Sequence, residues 1–324
     1  MKRVIHQIGA DRPEVTRYTG KGVCVAVLDS GIVSHPDLSG RILDFQDFTR
    51  KSKQSVYLYN YKRGRNTKDL MDRGYYDDYG HGTHVCGIIG GSGAASQGTI
   101  RGVAPDCSFL IGKVLDHKGA GRIEDLCRGI EWVLEVKDTY SVKILNISIG
   151  VEESLQDEKK EILQKYLKKA WEEGILVVVS DGNNGPKAMT ISDIGDCSQI
   201  ITVGCHDGNY RSETGRNCGD YSSRGPGTDV IRKPDLVAPG TDIVSCNARF
   251  YYAFGKIKDA YVQKSGTSMS APIVAGAAAL LLEKKQTLSN SDIKRILLHS
   301  AQNLKIPWNA QGYGMLHLER AMRF

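Results

Sequence analysis

Five short stretches of the chain, residues 23–28, 109–115, 144–149, 175–180 and 200–204, are almost continuously apolar and rich in β-branched side chains. Runs of that length without alternation predict strands buried on both faces, as in a parallel sheet. Between them the apolar spacing changes to three and four. Ile123, Leu126, Cys127, Ile130, Val133 and Leu134 share one helical face. So do Ile162, Leu163, Tyr166, Leu167, Ala170 and Trp171, with Gly174 as a stop. Further helices are predicted over 268–284 and 291–298. Alternating strands and helices predict a three-layer α/β fold, with a mainly parallel central sheet flanked by helices. No repeat and no Pro- or Ser-rich linker interrupts the pattern, so residues 1–324 read as a single domain. Segment 49–73 alone lacks a period. It mixes Tyr with Lys and Arg, and predicts an exposed, insertion-like excursion with a short hairpin over 56–61.

Composition narrows the class. The 324 residues are 40% hydrophobic and 25% charged, which excludes disorder, collagen and coiled coil. No run approaches the roughly 20 apolar residues of a membrane span, so no membrane partner is expected. The first eight residues begin basic but have no apolar core, so no signal peptide is read. A cytoplasmic location is expected unless a leader has been trimmed. There are eight Cys, several within apolar runs. They are expected to be small buried thiols rather than disulfides, and with no Cys-x-x-Cys pair a zinc site is not expected.

The net charge of +6 is a local property. Arg50, Lys51, Lys53, Lys62, Arg63 and Arg65 form a run with no acid in it, and the other 37 basic residues match the 37 acidic ones. This run reads as a solvated loop or as a basic lip that steers acidic substrates. Stacking on Tyr57, Tyr59 and Tyr61 has no accompanying nucleic-acid motif, so no nucleic-acid partner is expected.

Candidate chemistry comes from residues that are bland one at a time. Asp29 follows the first strand, at the end of a parallel sheet where functional groups gather, yet alone it reads as a turn residue. His81 and His84 could share a helix face on a metal, but no carboxylate is spaced to complete a site. Ser268 lies between a Gly turn and a helix start, as an N-cap would. Together the three supply an orienter, a base and a nucleophile. Ser oxygen is a weak nucleophile without a base, and His needs a carboxylate to fix its tautomer.

The segments Leu-Asp-Ser-Gly-Ile at 28–32, His-Gly-Thr-His-Val at 81–85 and Gly-Thr-Ser-Met-Ser-Ala-Pro at 266–272 resemble the three active-site blocks of the subtilisin family of serine proteases, in that family's order. The resemblance runs from about residue 8 to 321. It implies a serine endopeptidase with Asp29, His81 and Ser268 as the triad and His84 as a structural residue. Residues 179–186 resemble the oxyanion block and imply Asn183 as a donor to the tetrahedral intermediate. Residues 118–121 and 146–150 resemble two edges that clasp an extended peptide through its backbone. That implies substrate contacts at Gly119, Gly121, Ser148, Ile149 and Gly150, with Gly119 and Gly121 letting the backbones approach. Ile123, Leu126 and Ile149 would line a pocket for the fourth residue upstream of the cut.

The departures from the pattern also carry expectations. The stretch 190–195 lacks the family's Pro. Ser192 would line the primary pocket, and Asp193 beside it would either select a basic residue or face solvent, with an apolar preference as the default. The loop 90–98 offers no carboxylate, and Asp37 matches one family calcium ligand without its partners. No cofactor is required, and the strong calcium site is expected to be absent, while a weaker cation site stays open. The resemblance begins within about ten residues of Met1, without the long propeptide of secreted relatives. With segments 222–226 and 233–240, this looks more like intracellular or AprX-like bacterial subtilases. The implied partners are peptides or unfolded proteins. The alternatives are dedicated processing of one precursor or leader peptide, and a catalytically silent regulatory member.

Overall fold

The computed structural model describes residues 1–49, 74–149, 156–226 and 232–324. The basic segment 50–73, with its expected hairpin, lies outside the described residues, and so does Gly150.

Seven strands form one sheet: β1 (Cys24–Asp29), β2 (Ile42–Asp47), β3 (Ser108–Lys113), β4 (Val142–Ile147), β5 (Leu176–Ser180), β6 (Ile201–Cys205) and β7 (Leu236–Ala238). Their order is β2-β3-β1-β4-β5-β6-β7, and every neighbouring pair is parallel. The five predicted strands are all present, within two residues of their expected bounds. The two edge strands, β2 and β7, lie outside the predicted runs. The first has a polar alternation (Ile-Leu-Asp-Phe-Gln-Asp) and the second is three residues long.

Each strand's two-residue period sends its side chains to two separate cores. Cys24, Ala26 and Leu28 of β1 pack under α2 (Ile123–Val136) and α3 (Asp157–Glu172). Val25 and Val27 pack on the other face with α1 (His81–Gly90), α4 (Thr267–Lys284) and α5 (Asn290–Ser300). The three-layer expectation therefore holds. Helix α4 is buried all round from Met269 to Leu282, with Ala and Gly where neighbours come closest. A Cβ on Gly276 would lie 2.7 Å from Val103.

Strands β8 (Ile243–Cys246) and β11 (Tyr261–Lys264) pair antiparallel outside the main sheet. Between them, β9 (Tyr251–Ala253) and β10 (Lys256–Lys258) form a small hairpin. The cysteine expectation needs one correction. Cys205 and Cys218 are joined in a disulfide, because the reversal over 206–217 brings their Cα atoms to 5.2 Å. The other six are free and buried.

Candidate active site

Between β1 and β4 the sheet's connections change direction, and in parallel sheets functional groups gather at the carboxyl ends beside such a point. Asp29 is the last residue of β1 and is fully buried. Both of its carboxylate oxygens meet His81 Nδ1, at 2.8 and 2.9 Å. The Ser30 amide donates to Oδ1 at 2.7 Å, which fixes the carboxylate plane. With Nδ1 so engaged, Nε2 is the nitrogen left to act on another group.

His81 begins α1, and glycines let that helix seat on the loop after β1. A Cβ on Gly82 would lie 2.2 Å from the Gly31 carbonyl. Asp77 caps the helix start. It accepts from the Gly80 amide (2.6 Å), the Thr83 amide (2.9 Å), the Thr83 hydroxyl (2.7 Å) and the Ser30 hydroxyl (2.8 Å). Ser30 Oγ in turn accepts the amides of His81 and Gly82. Beneath it, the buried ammonium of Lys113 donates to Asp78 at 2.6 Å and to the carbonyls of Ser30 and Leu115. His84, one turn on, is buried and donates from Nε2 between the Ile243 and Val262 carbonyls, at 3.0 and 3.1 Å. Burial pushes it down to about 3, so it is a neutral strut between α1 and the β8–β11 pair.

Ser268 is the second residue of α4, two positions after Gly266, whose φ of 149° suits a glycine. Asn183 is placed against that turn. Its Oδ1 accepts the Thr267 amide at 3.0 Å and the Thr267 hydroxyl at 3.2 Å. The amide nitrogen Nδ2 is thereby left to donate elsewhere. His84, one turn after His81, holds β11, whose last residue lies four positions before Ser268.

The expected substrate edges have mixed outcomes. Ser148 is buried, accepting from Asn146 Nδ2 at 2.8 Å, and Ile149 and Leu126 are buried in the α2–α3 core. Ser192 is buried beside Gly182, with its Cβ 3.5 Å from where a Cβ on Gly182 would be. Asp193 does not face free solvent, because its carboxylate pairs with Lys160 of α3 at 3.0 Å. The glycines of the 115–121 turn are also required by the turn's own packing. A Cβ on Gly119 would lie 2.5 Å from the Tyr79 ring, and one on Gly121 would lie 2.6 Å from the Leu115 side chain.

A family model described as the subtilase family, Peptidase_S8, matches residues 20–314. The chain belongs to the subtilase family. Serine protease AprX of Bacillus subtilis (strain 168) is 35% identical over 315 residues, covering 94% of this chain and 67% of that one. An intracellular serine protease of Paenibacillus polymyxa is 33% identical over 313 residues, covering 92% of this chain and 80% of that one. The solved structure of Sphericase superposes with a TM-score of 0.73 at 28% identity, over 93% of this chain and 92% of that chain. This subtilase is accordingly a serine protease, a hydrolase, and such enzymes act on peptides and proteins.

For this subtilase, Asp37, the residue that matches one family calcium ligand, has the following neighbours. The buried carboxylate of Asp37 accepts the Ala95 amide and the Tyr261 hydroxyl, each at 2.8 Å. Its other neighbours are His35 and Cys246, softer ligands than calcium takes. His35 is itself engaged, accepting the Asp37 amide on Nδ1 and bonding the Ala260 carbonyl through Nε2. The described residues therefore do not fit a calcium ion there.

The sequence reading did not single out Asp77, Lys113 or Asp181. Asp181 lies two residues before Asn183 and is fully buried. Ser222 Oγ donates to its Oδ2 at 3.0 Å, and its Oδ1 has no partner. Burial pushes this carboxyl well above its ordinary 3.8, against the pull of the Ser222 hydrogen bond. An Asp directly before the Gly-Asn pair, inside an apolar strand end, was the available signal.

Proposed function

We propose that this subtilase is a serine endopeptidase of extended peptide segments, working through Asp29, His81, Ser268 and Asn183. The observation that carries the reading is the two-oxygen contact of a fully buried Asp29 with His81 Nδ1. That contact holds the imidazole in the tautomer whose Nε2 accepts a proton. His81 Nε2 takes the hydroxyl proton of Ser268 as Oγ attacks the scissile carbonyl carbon. The carbonyl oxygen becomes an oxyanion, which Asn183 Nδ2 and the amides at the start of α4 stabilise. The imidazolium then protonates the leaving amine. Water repeats the sequence in reverse on the acyl-enzyme, restoring Ser268.

Upstream substrate residues would lie between the 115–121 turn and the segment after β4. Ile149 and Leu126 would supply apolar contact, and Ser192 would lie by the primary pocket. The Lys160 pair occupies Asp193, which supports an apolar rather than basic residue at the cleaved position. No step assigns work to a cofactor. The Asp37 site, with its oxygens already hydrogen-bonded, supports a scaffold that needs no calcium there.

The test is labelling by a serine-directed fluorophosphonate, with cleavage of a casein-derived peptide mixture followed in parallel. Wild type should label and cleave, and Ser268→Ala should do neither. Folded wild-type protein that fails to label would sink the proposal. A cut-site profile over a random peptide library then separates turnover from dedicated processing, since a broad profile rejects the dedicated role.

A further inference from the structure

The Cys205–Cys218 disulfide lies against the turn that seats the start of α4. Cys205 ends β6, and the bond closes the reversal over 206–217. That reversal carries Asp207, whose buried Oδ1 accepts the Gly240 amide at 3.2 Å and the Thr241 amide at 3.1 Å. The sulfurs touch the same two residues. A Cβ on Gly240 would lie 2.6 Å from Cys205 Sγ, and the Thr241 hydroxyl donates to Cys218 Sγ at 3.5 Å.

Residues 238–242 in turn hold the start of α4. The Gly240 carbonyl accepts the Gly266 amide at 3.0 Å, and the Asp242 amide donates to Ser265 Oγ at 2.9 Å. From the helix side, Ser270 Oγ is shared between the carbonyls of Ala238 and Pro239, at 3.0 and 3.1 Å. Ser268 lies between Gly266 and Ser270. A run of contacts therefore leads from the sulfurs through Gly240 to the chain on both sides of Ser268. It does not pass through the 115–121 turn or the end of β4.

Two features suit this bond to exchange with an external dithiol. From Arg211 to Gly219 only Ser212 and Cys218 are buried, so local opening of a surface segment uncovers the sulfurs. The Tyr221 hydroxyl also lies 3.4 Å from Cys205 Sγ and 3.5 Å from Cys218 Sγ, beside the Thr241 hydroxyl. A disulfide sulfur is a weak acceptor and a thiolate a strong one, so these donors favour the reduced form.

We infer that Cys205–Cys218 is a thiol–disulfide exchange site, whose closed state fixes the seat of Ser268 and whose reduction by a dithiol slows the enzyme. This rests on the protease reading above and adds a regulation to it. A thiolate of the dithiol attacks one Sγ, and the other Cys leaves as a thiolate that takes a proton from water. The second thiol of the reductant then displaces the remaining Cys. Two electrons pass to the protein, which gains two thiols, and the reductant leaves as its own disulfide. Once the sulfurs can separate, Gly240 and Thr241 lose a fixed neighbour. The rate constant kcat should fall roughly fivefold or more, as coupling through packed side chains allows, with KM little changed.

The test follows hydrolysis of one quenched peptide by wild type oxidised with glutathione disulfide, then reduced with dithiothreitol, then oxidised again. Free thiols are counted in denaturant after each step. Six thiols should become eight and return to six, and kcat should fall and recover with them. The Cys205→Ser/Cys218→Ser double variant should work at the reduced rate and ignore dithiothreitol, and the wild-type cycle stands whether or not that variant folds. Eight thiols after oxidation, six after dithiothreitol, or eight with kcat unchanged would each overturn this inference and leave the protease reading standing. A double variant that still responds to dithiothreitol would overturn it too. No hydrolysis in any state would overturn the protease reading, and this inference with it.

Discussion

At the His81 end of the cleft the buried acids are matched by donors. Asp29 holds the imidazole, Asp77 collects two amides and two hydroxyls, and Asp78 takes the buried ammonium of Lys113. At the Asn183 end, Asp181 is as deeply buried, yet one of its oxygens has no partner. The two ends also titrate in opposite senses. Burial holds His84, behind His81, down to about 3, and it holds Asp181, behind Asn183, well above 3.8. Both groups are stable only in the neutral form. The fold should therefore lose stability toward acid through one end and toward base through the other. Two supports of one active site can thus be built from different polar logic: acids matched by donors on one side, where only the neutral His84 leaves its Nδ1 unpartnered, and a neutralised acid on the other.

The largest effect that would test this division is removal of the base itself. His81→Ala should lower kcat by roughly 10⁶-fold, the size known for the subtilisin triad, as read by active-site-titrated peptide hydrolysis. A loss of only tenfold would mean that the saturated end is not the catalytic end. Next comes Asn183→Ala, expected to lower kcat about 10²–10³-fold with little change in KM, in the same assay. An effect confined to KM would move Asn183 from oxyanion donor to substrate contact.

Asp77→Ala should cost about 3 kcal/mol or more in urea denaturation, because four buried donors lose their acceptor. Asp77→Asn, which keeps an acceptor, should cost less. Equal costs would show that the cap's charge, rather than its hydrogen bonds, holds α1.

Smallest per step are the pH slopes. His84 binds a proton in the unfolded chain below its ordinary 6.5 but not in the folded one until about 3. Its stabilisation is present above pH 6.5 and falls as pH drops between those values, by up to about 1.4 kcal/mol per unit. Asp181 has the reverse sign. Its contribution is full below its ordinary 3.8 and is lost as pH rises toward its raised folded value. Melting temperatures across pH should show His84→Gln flattening the acid limb and Asp181→Asn flattening the neutral-to-alkaline side. Parallel curves for wild type and Asp181→Asn would mean that the orphaned oxygen is satisfied after all.

Much of the fold was legible because the signals were local. The continuous apolar runs became the five inner strands, and the three-and-four spacing became α2 and α3, since burial on two faces or on one stripe leaves those periods in the sequence. The edges β2 and β7 were not legible, since an edge strand needs little apolar surface. The site residues were readable because each lies in a compact block. Their supports were less so: Asp77 has the composition of any turn acid, and only its four donors give it meaning.

Taken alone, the sequence determined the layered α/β pattern, the subtilase blocks and their order, and the surplus charge in one segment. Tertiary structure decided what met what. It placed Asp29 against His81 across 52 positions, joined Cys205 to Cys218, gave Asp193 to Lys160 and laid Tyr79 on Gly119. The reason is strand order. Once β1 is set between β3 and β4, the loops at its end are brought together by the sheet, and no local period records which of their side chains will touch.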